Sequence, residues 1–176
     1  MSKVIAAEYL TLDGVMENPA WTAPYFNEEL GEFQGELMAS ADALLLGRVT
    51  YEAFAGVWPN MPDAPGADIM NRLPKYVASR TLQTAGWNAE IMQGDVAATV
   101  ARLKQEPGHN LLIFGSGQLV EYLRQHGLID TYRLMVFPLV LGGGQRLFTT
   151  EIGSDFKLVS SHTTSTGVLV LTYERA

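Results

Sequence analysis

The stretch at residues 43–54, with the sequence ALLLGRVTYEAF, constrains the fold of this chain more than any other. Three leucines run into Gly47, and apolar residues at helical spacing follow, which predicts a buried strand that turns directly into a helix. Such a turn presents backbone N–H groups and the positive end of the helix dipole, and both attract anions. Gly47 lets the backbone approach a ligand, Arg48 offers a guanidinium suited to phosphate, and the Thr50 hydroxyl either caps the helix or binds an oxygen. The same pattern also fits an ordinary capped helix with a solvated arginine.

The size and charge of the chain limit its function classes. Its 176 residues fit one domain that spans residues 1–176. A formal net charge of −7 argues against a nucleic-acid surface and against binding to anionic membranes. The absence of cysteine excludes disulfides, thiolate metal sites and cysteine nucleophiles. No apolar run reaches the ~18 residues of a membrane helix, and the N-terminal run is too short for a signal peptide, so we expect a cytoplasmic protein.

Predicted strands and helices alternate along most of the chain, and the chain then ends in strands. The first strand, Val4–Leu10, is expected to be central, and Pro24 is expected to open an amphipathic helix. Pro138 interrupts a long apolar strand at residues 131–141, which predicts a sheet edge or a bulge. Thr166 and Gly167 form the turn of a terminal hairpin. This order predicts an α/β fold, in which a mixed sheet carries helices on both faces.

Five segments together resemble the dihydrofolate-reductase-like superfamily. They resemble most closely the C-terminal reductase domain of the bifunctional riboflavin-biosynthesis deaminase–reductase and its stand-alone relatives. The segments agree with that family in order and spacing, and they lie at residues 9–15 (YLTLDGV), 47–54 (GRVTYEAF), 71–82 (NRLPKYVASRTL), 113–120 (IFGSGQLV) and 127–148 (GLIDTY, then PLVLGGGQRLF). The resemblance implies a three-layer α/β/α domain whose central, mostly parallel mixed sheet ends in a C-terminal antiparallel hairpin.

The resemblance also implies NADPH as the cofactor. Read without it, Gly115-Ser116-Gly117 is a strand–helix turn capped by Ser116, because the third glycine of the Rossmann fingerprint is missing. In the family, this turn is the second one that contacts cofactor phosphates, and the position of Ser79 and Arg80 lies near the adenosine ribose. Two guanidiniums there would favour NADPH over NADH. The residues implied to hold the cofactor are Gly47, Arg48, Thr50, Ser79, Arg80, Gly115, Ser116, Gly117, Gln118 and Leu119.

The segment around Asp13 borders the nicotinamide and the substrate in the resembling family. Asp13 is therefore the candidate catalytic residue, as a proton donor whose pKa a partly apolar pocket near Trp21 should raise. The alternative is that Asp13 only fixes the turn before Gly14. Leu12, Trp21 and Phe26 are the candidate substrate-pocket residues. True dihydrofolate reductases carry an acid early in the following helix, but here no carboxylate precedes Glu28, which disfavours folate as the substrate.

The leading hypothesis is an NADPH-dependent reductase that transfers hydride to a small heterocyclic substrate of the ribosylaminopyrimidine type. The alternative is a nucleotide-binding or sensing domain that keeps the fold without turnover. No metal site is expected, because His109, His126 and His162 lack metal-ligand spacing. We expect a small-molecule substrate and a homodimer, since relatives dimerise and the apolar segment at 133–141 is unsuited to an open edge.

Overall fold

The apolar segments assemble into an eight-stranded sheet in a computed structural model that describes residues 2–108 and 110–176. The strands are β1 (Val4–Leu10), β2 (Ala43–Gly47), β3 (Lys75–Ala78), β4 (Ala89–Met92), β5 (Leu111–Phe114), β6 (Thr131–Val136), β7 (Phe156–Thr163) and β8 (Leu169–Arg175). Their order across the sheet is β4-β3-β2-β5-β1-β6-β8-β7. The pairs from β4 to β6 are parallel, whereas β8 pairs antiparallel with β6 and β7. The predicted mostly parallel sheet with a C-terminal antiparallel hairpin is confirmed.

Helices cover both faces of this sheet. In the described residues they are α1 (Glu28–Ala39), α2 (Arg48–Val57), α3 (Ala67–Arg72), α4 (Val96–Gln105) and α5 (Gly117–Gln125). Successive side chains of a strand point to opposite faces, so the neighbours Leu44 and Leu45 of β2 enter different cores. Leu44 packs with Tyr51 of α2 on the face that α1 and α3 also cover. Leu45 packs with Val120 of α5 on the face that α4 shares, which confirms the three-layer α/β/α architecture.

The strand order reverses direction between β2 and β5. From β2 the chain passes through α2 and α3 to β3 and β4 at one edge, and β5 then returns between β2 and β1. From β5 the chain passes through α5 to β6 on the other side of β1. Since α2 and α5 lie on opposite faces, the carboxyl ends of β2 and β5 form a topological switch point, the kind of position at which open α/β sheets form their ligand-binding crevice.

Two local predictions are wrong. The helix predicted to open at Pro24 begins at Glu28, because Asn27 caps it by accepting a hydrogen bond from the Leu30 amide at 3.1 Å. Pro24 lies instead in a short 3₁₀ helix, Pro19–Tyr25. The apolar segment at 131–141 does not form a sheet edge, since β6 lies between β1 and β8, and β7 forms that edge of the sheet.

Candidate active site

The strand order brings the predicted site residues into one row along the carboxyl edge of the sheet. Ala78 at the end of β3 pairs with Gly47 at the end of β2, so the segments 79–80 and 47–48 are neighbours. The turn at 115–117 follows β5, and the segment 12–13 follows β1. With strands about 4.8 Å apart, the row from β3 through β2 and β5 to β1 spans about 14 Å. The row is therefore long enough for an extended ligand that crosses several strand ends.

Two hydrogen bonds join the N-termini of α2 and α5 across the crevice. The Gly47 amide donates to Ser116 Oγ at 2.9 Å, and the Ser116 amide donates to Thr50 Oγ1 at 3.1 Å. Neither hydroxyl caps its own helix, contrary to the capping alternative for Thr50 and for Ser116. Ser116 instead holds the turn before α2, and Thr50 holds the turn before α5. The two hydrogen bonds thus fix the two helix N-termini relative to each other.

The turn after β5 requires an unusual backbone. Gly115 and Ser116 both have left-handed conformations, with φ of 58° and 55°. Gly115 adopts this region without strain, whereas Ser116 keeps it at a cost. A Cβ at Gly115 would lie 3.3 Å from Thr50 Oγ1, and one at Gly117 would lie 2.5 Å from Met16 Sδ. Glycine at these positions therefore leaves room for the Thr50 side chain on one side of the turn and for the Met16 side chain on the other.

The first turns of α2 and α5 supply hydrogen-bond donors at this crevice. Helical geometry leaves the amides of Arg48 and Val49 in α2, and of Gln118 and Leu119 in α5, without intrahelical acceptors. The Gly47 amide is already used by Ser116. The Leu119 side chain is buried in the core, so this residue presents only its backbone to the crevice. The two helix N-termini thus offer backbone donors that could bind an anion, a potential anion seat at the junction of α2 and α5.

The two predicted arginines lie at adjacent strand ends. Both are exposed, and Arg48 Nη1 contacts Glu52 Oε2 at 2.9 Å within α2. Ser79 is committed to its own loop, because its Oγ accepts hydrogen bonds from the amides of Thr81 at 3.2 Å and Leu82 at 3.0 Å. Arg48 and Arg80 therefore form the positively charged end of the row, and Ser79 shapes the loop that carries Arg80.

Asp13 differs from the expectation of a proton donor. Its Oδ1 accepts from Thr11 Oγ1 at 2.5 Å, and its Oδ2 accepts from the Gly142 amide at 2.8 Å. These hydrogen bonds, that of Thr11 above all, lower the pKa of Asp13 to about 2. The expected rise of the pKa is wrong, because hydrogen-bond donors and not an apolar wall surround the carboxylate. The geometry supports the alternative role for Asp13, in which it fixes local turns.

Arg146 and Glu17 complete this loop, in an anchoring role that sequence reasoning missed. Arg146 Nε donates to the Asp13 carbonyl at 3.0 Å, and Glu17 Oε2 accepts from the Gln145 amide at 2.9 Å. Both contacts hold the segment after the glycine triplet 142–144 against the segment 13–17. The pattern GGGQR, in which a polar and a basic residue follow three glycines, was the available signal for a loop anchored at its end.

The candidate substrate residues lie around one aromatic cluster, with one exception. The Trp21 ring lies 5.4 Å from the Phe137 ring, and Phe26 lies 6.4 Å from Tyr9, which itself contacts Phe137. Phe26 is 43% exposed, so the cluster has an open apolar face. Leu12 is 63% exposed beyond the end of β1 and lies outside this cluster. The structure therefore brings Trp21 and Phe26 together through Tyr9 and Phe137.

The described residues contain neither a metal site nor a membrane span. No group of three or more histidine, cysteine or acidic side chains in residues 2–108 and 110–176 is arranged to hold a metal ion. His126 and His162 are exposed, and His109 lies outside the described residues. Within the same residues, every helix is too short or too polar to cross a bilayer.

The eight-stranded sheet and its flanking helices form a dihydrofolate-reductase-like fold. The chain belongs to the RibD C-terminal domain family, whose model matches residues 2–170. A putative riboflavin biosynthesis protein from Shewanella sp. PV-4 superposes with a TM-score of 0.79 at 24% identity, covering 99% of both chains. Dihydrofolate reductase from Schistosoma mansoni superposes with a TM-score of 0.63 at 13% identity, covering 99% of both chains.

A longer protein contains the same fold as one of its parts. The diaminohydroxyphosphoribosylaminopyrimidine deaminase/5-amino-6-(5-phosphoribosylamino)uracil reductase from Thermotoga maritima superposes with a TM-score of 0.69 at 13% identity. The match covers 99% of the present chain but only 57% of that protein. The present chain therefore corresponds to about half of that protein, and at this identity the likeness shows the fold alone.

Proposed function

We propose that this protein is an NADPH-dependent reductase that transfers hydride to a small heterocyclic substrate of the ribosylaminopyrimidine type. The observation that carries the proposal is the order of the strand ends, β3-β2-β5-β1. This order places a basic end, an anion seat and an aromatic cluster one after another. The 2′-phosphate, the pyrophosphate and the substrate beside the nicotinamide would occupy them in the same order. Membership of the RibD C-terminal domain family supports a reductase, as does the reductase activity for which the Thermotoga maritima protein is named.

The residues of the row fit the phosphates of NADPH. The amide donors of α2 and α5 would bind the pyrophosphate. Arg48 and Arg80 at the neighbouring strand ends would bind the 2′-phosphate through charge-assisted hydrogen bonds. When bound, NADPH supplies the hydride, and the protein binds and orients both reactants.

The substrate side of the site provides shape more than charge. Trp21 and Phe26 present an apolar surface on which a flat heterocycle can stack, and they exclude water from it. Asp13, with a pKa of about 2, stays ionised at neutral pH and holds the loop at 141–142. We therefore assign Asp13 to the positioning of this loop, and the proton that accompanies hydride transfer must come from another group or from water.

The low pKa of Asp13 also favours the second candidate, a nucleotide-sensing domain without turnover. The two candidates are separated by adding NADPH and following the absorbance of the reduced nicotinamide with a series of acceptors that includes a ribosylaminopyrimidine. The reductase proposal predicts acceptor-dependent loss of that absorbance. Saturable NADPH binding without oxidation by any acceptor would support the sensing domain, and the absence of NADPH binding contradicts both candidates.

A further inference from the structure

One acidic side chain lies inside the central strand. Glu8 is the only charged residue of β1, which otherwise reads VIAAYL around it, and it is only 3% exposed. Alternation along the strand places Glu8 on the same face as Ala6 and Leu10, which belong to the core under α4 and α5. The next strand in the sheet, β5, leads from this region directly into the turn at Gly115. A carboxyl group is thus buried under the turn of the proposed cofactor site.

Glu8 has a specific partner in that turn. The Gly115 amide donates a hydrogen bond to the Glu8 carboxyl group, whereas Glu8 Oε1 has no hydrogen-bond partner among the described residues. Burial raises the pKa of Glu8 well above its ordinary value, more than the Gly115 hydrogen bond lowers it. Burial therefore favours the neutral form of this side chain, which accepts from the amide and would place no negative charge beside the two helix N-termini.

Glu8 and Thr50 hold successive amides of the same turn from opposite sides of the sheet. Glu8 accepts from the Gly115 amide on the α5 face, and Thr50 Oγ1 accepts from the Ser116 amide on the α2 face. Both turn residues have left-handed backbones. Without these acceptors the turn would populate other conformations, and the fraction of molecules with α5 correctly aimed would fall.

We propose that Glu8 is a positioning residue of the cofactor site, which fixes the Gly115 amide and thereby aims the N-terminus of α5 at the cofactor pyrophosphate. The inference rests on the proposed function, because it concerns how the same site binds NADPH. It adds a residue from the interior of β1 that acts through Gly115 and does not itself touch the cofactor.

Two substitutions of Glu8 test whether its role is to accept the hydrogen bond or only to fill space in the core. Glu8→Gln keeps a carbonyl acceptor and cannot ionise, whereas Glu8→Leu fills the space without an acceptor. Tyr132→Phe is the control for loss of a buried polar group near Glu8, because the Tyr132 hydroxyl is also buried without a hydrogen-bond partner among the described residues and lies on the same face, where burial and, to a lesser extent, the charge of Glu8 would raise its pKa. NADPH affinity is measured by fluorescence titration, and amide hydrogen exchange at residues 115–117 is measured by NMR.

We expect Glu8→Gln and Tyr132→Phe to bind NADPH within about twofold of the wild type, and Glu8→Leu to bind roughly tenfold more weakly, with faster exchange at Gly115. Wild-type affinity in Glu8→Leu, or equal losses in Glu8→Gln and Glu8→Leu, overturns the inference. If Glu8→Leu does not fold, amide exchange at Gly115 in the wild type tests the inference. Exchange as fast as that of an exposed amide would contradict the hydrogen bond between Gly115 and Glu8. Absence of NADPH binding in the wild type overturns the proposed function and this inference together, whereas binding that Glu8→Leu leaves intact overturns this inference alone.

Discussion

Three carboxyl groups of this protein have pKa values that are shifted in different directions because their surroundings differ. Asp13 is surrounded by donors of its own loop, which lower its pKa to about 2. Glu121 is paired with Arg124, and the hydrogen bonds from that guanidinium lower its pKa to about 2. Glu8 has one amide partner in an apolar core, so burial raises its pKa. The sequence alone does not distinguish these three acidic residues, because their pKa shifts depend on burial and on hydrogen-bond donors that the folded structure brings to each carboxyl group.

Glu121 is the residue that should control acid stability. Arg124 donates to it twice, at 2.7 and 2.8 Å, and the two side chains are almost fully buried. Because the folded pKa is depressed, the stabilisation is complete above the ordinary pKa of 4.5 and is lost as the pH falls towards 2. The shift corresponds to roughly 3 kcal/mol. Unfolding free energies measured by urea titration should therefore fall steeply between these pH values.

Glu121→Gln isolates this contribution. The variant should be less stable at neutral pH, because Arg124 is left buried without its counter-ion, and its stability should fall less on acidification. Glu52→Gln, which removes an exposed ion pair with Arg48, should change stability little. If the unfolding free energy of Glu121→Gln falls as steeply at low pH as that of the wild type, other groups cause the loss of stability.

At the scale of elements, the turns after β2 and β5 are the parts of the site that local sequence predicts well. An apolar run followed by glycine and a helical pattern reveals each strand–helix turn at residues 47–48 and 115–117. The hydrogen bonds that join the turns could not be predicted, because Thr50 and Ser116 are 66 residues apart along the chain. For the same reason, both hydroxyls read locally as helix caps, the role that the fold does not give them.

Substitutions of Ser116, in the turn after β5, test whether its left-handed backbone is strained. Ser116→Ala and Ser116→Gly both lose the acceptor for the Gly47 amide, at a cost of about 1–2 kcal/mol. Only alanine keeps a Cβ at a φ of 55°, so Ser116→Gly should be the more stable variant by roughly 1 kcal/mol. Urea unfolding measures both values. Equal stabilities would argue against strain, and two variants as stable as the wild type would argue against the hydrogen bond.

At the scale of the whole molecule, the sequence predicted the layers better than the edges. Periodicity and the alternation of strands with helices were sufficient for the mixed sheet, because they depend on which residues must be buried. The position of β6 was missed, since the pairing of β8 with β6 is decided by the return of the C-terminal hairpin and not by residues 131–141 themselves. Burial on both faces, not an edge position, explains why β6 is so apolar, whereas Val140 and Leu141 lie beyond the strand and are exposed.

The homodimer is now argued from β7, because β7 and not the segment 131–141 forms an edge of the sheet. The outer side of β7 is unpaired among the described residues, and Leu158 and Val159 are exposed on this strand. Such an edge favours pairing with another strand, so we expect two copies to associate through β7. Light scattering should give twice the monomer mass of 19.3 kDa.

Val159→Lys should shift that equilibrium to the monomer, because it places charges at the paired edge. Val57→Lys is the control, since Val57 is an exposed valine at the end of α2. A wild-type particle of 19.3 kDa at micromolar concentration would contradict the dimer. Dissociation by both variants would place the interface elsewhere.

The central claim is that the row of strand ends β3-β2-β5-β1 binds NADPH with its 2′-phosphate at Arg48 and Arg80. Its most direct test is a fluorescence titration of NADPH and NADH against the wild type, Arg48→Ala and Arg80→Ala. Arg102→Ala is the matched control, because Arg102 also forms an exposed i,i+4 ion pair but lies in the last turn of α4.

We predict that the wild type prefers NADPH. Each site variant should weaken NADPH binding about ten- to a hundredfold, which is the loss expected from one charge-assisted hydrogen bond. NADH binding should stay unchanged in these variants, and Arg102→Ala should change neither affinity. Equal affinity of the wild type for the two cofactors, or equal losses of NADPH and NADH binding in the site variants, would contradict the account.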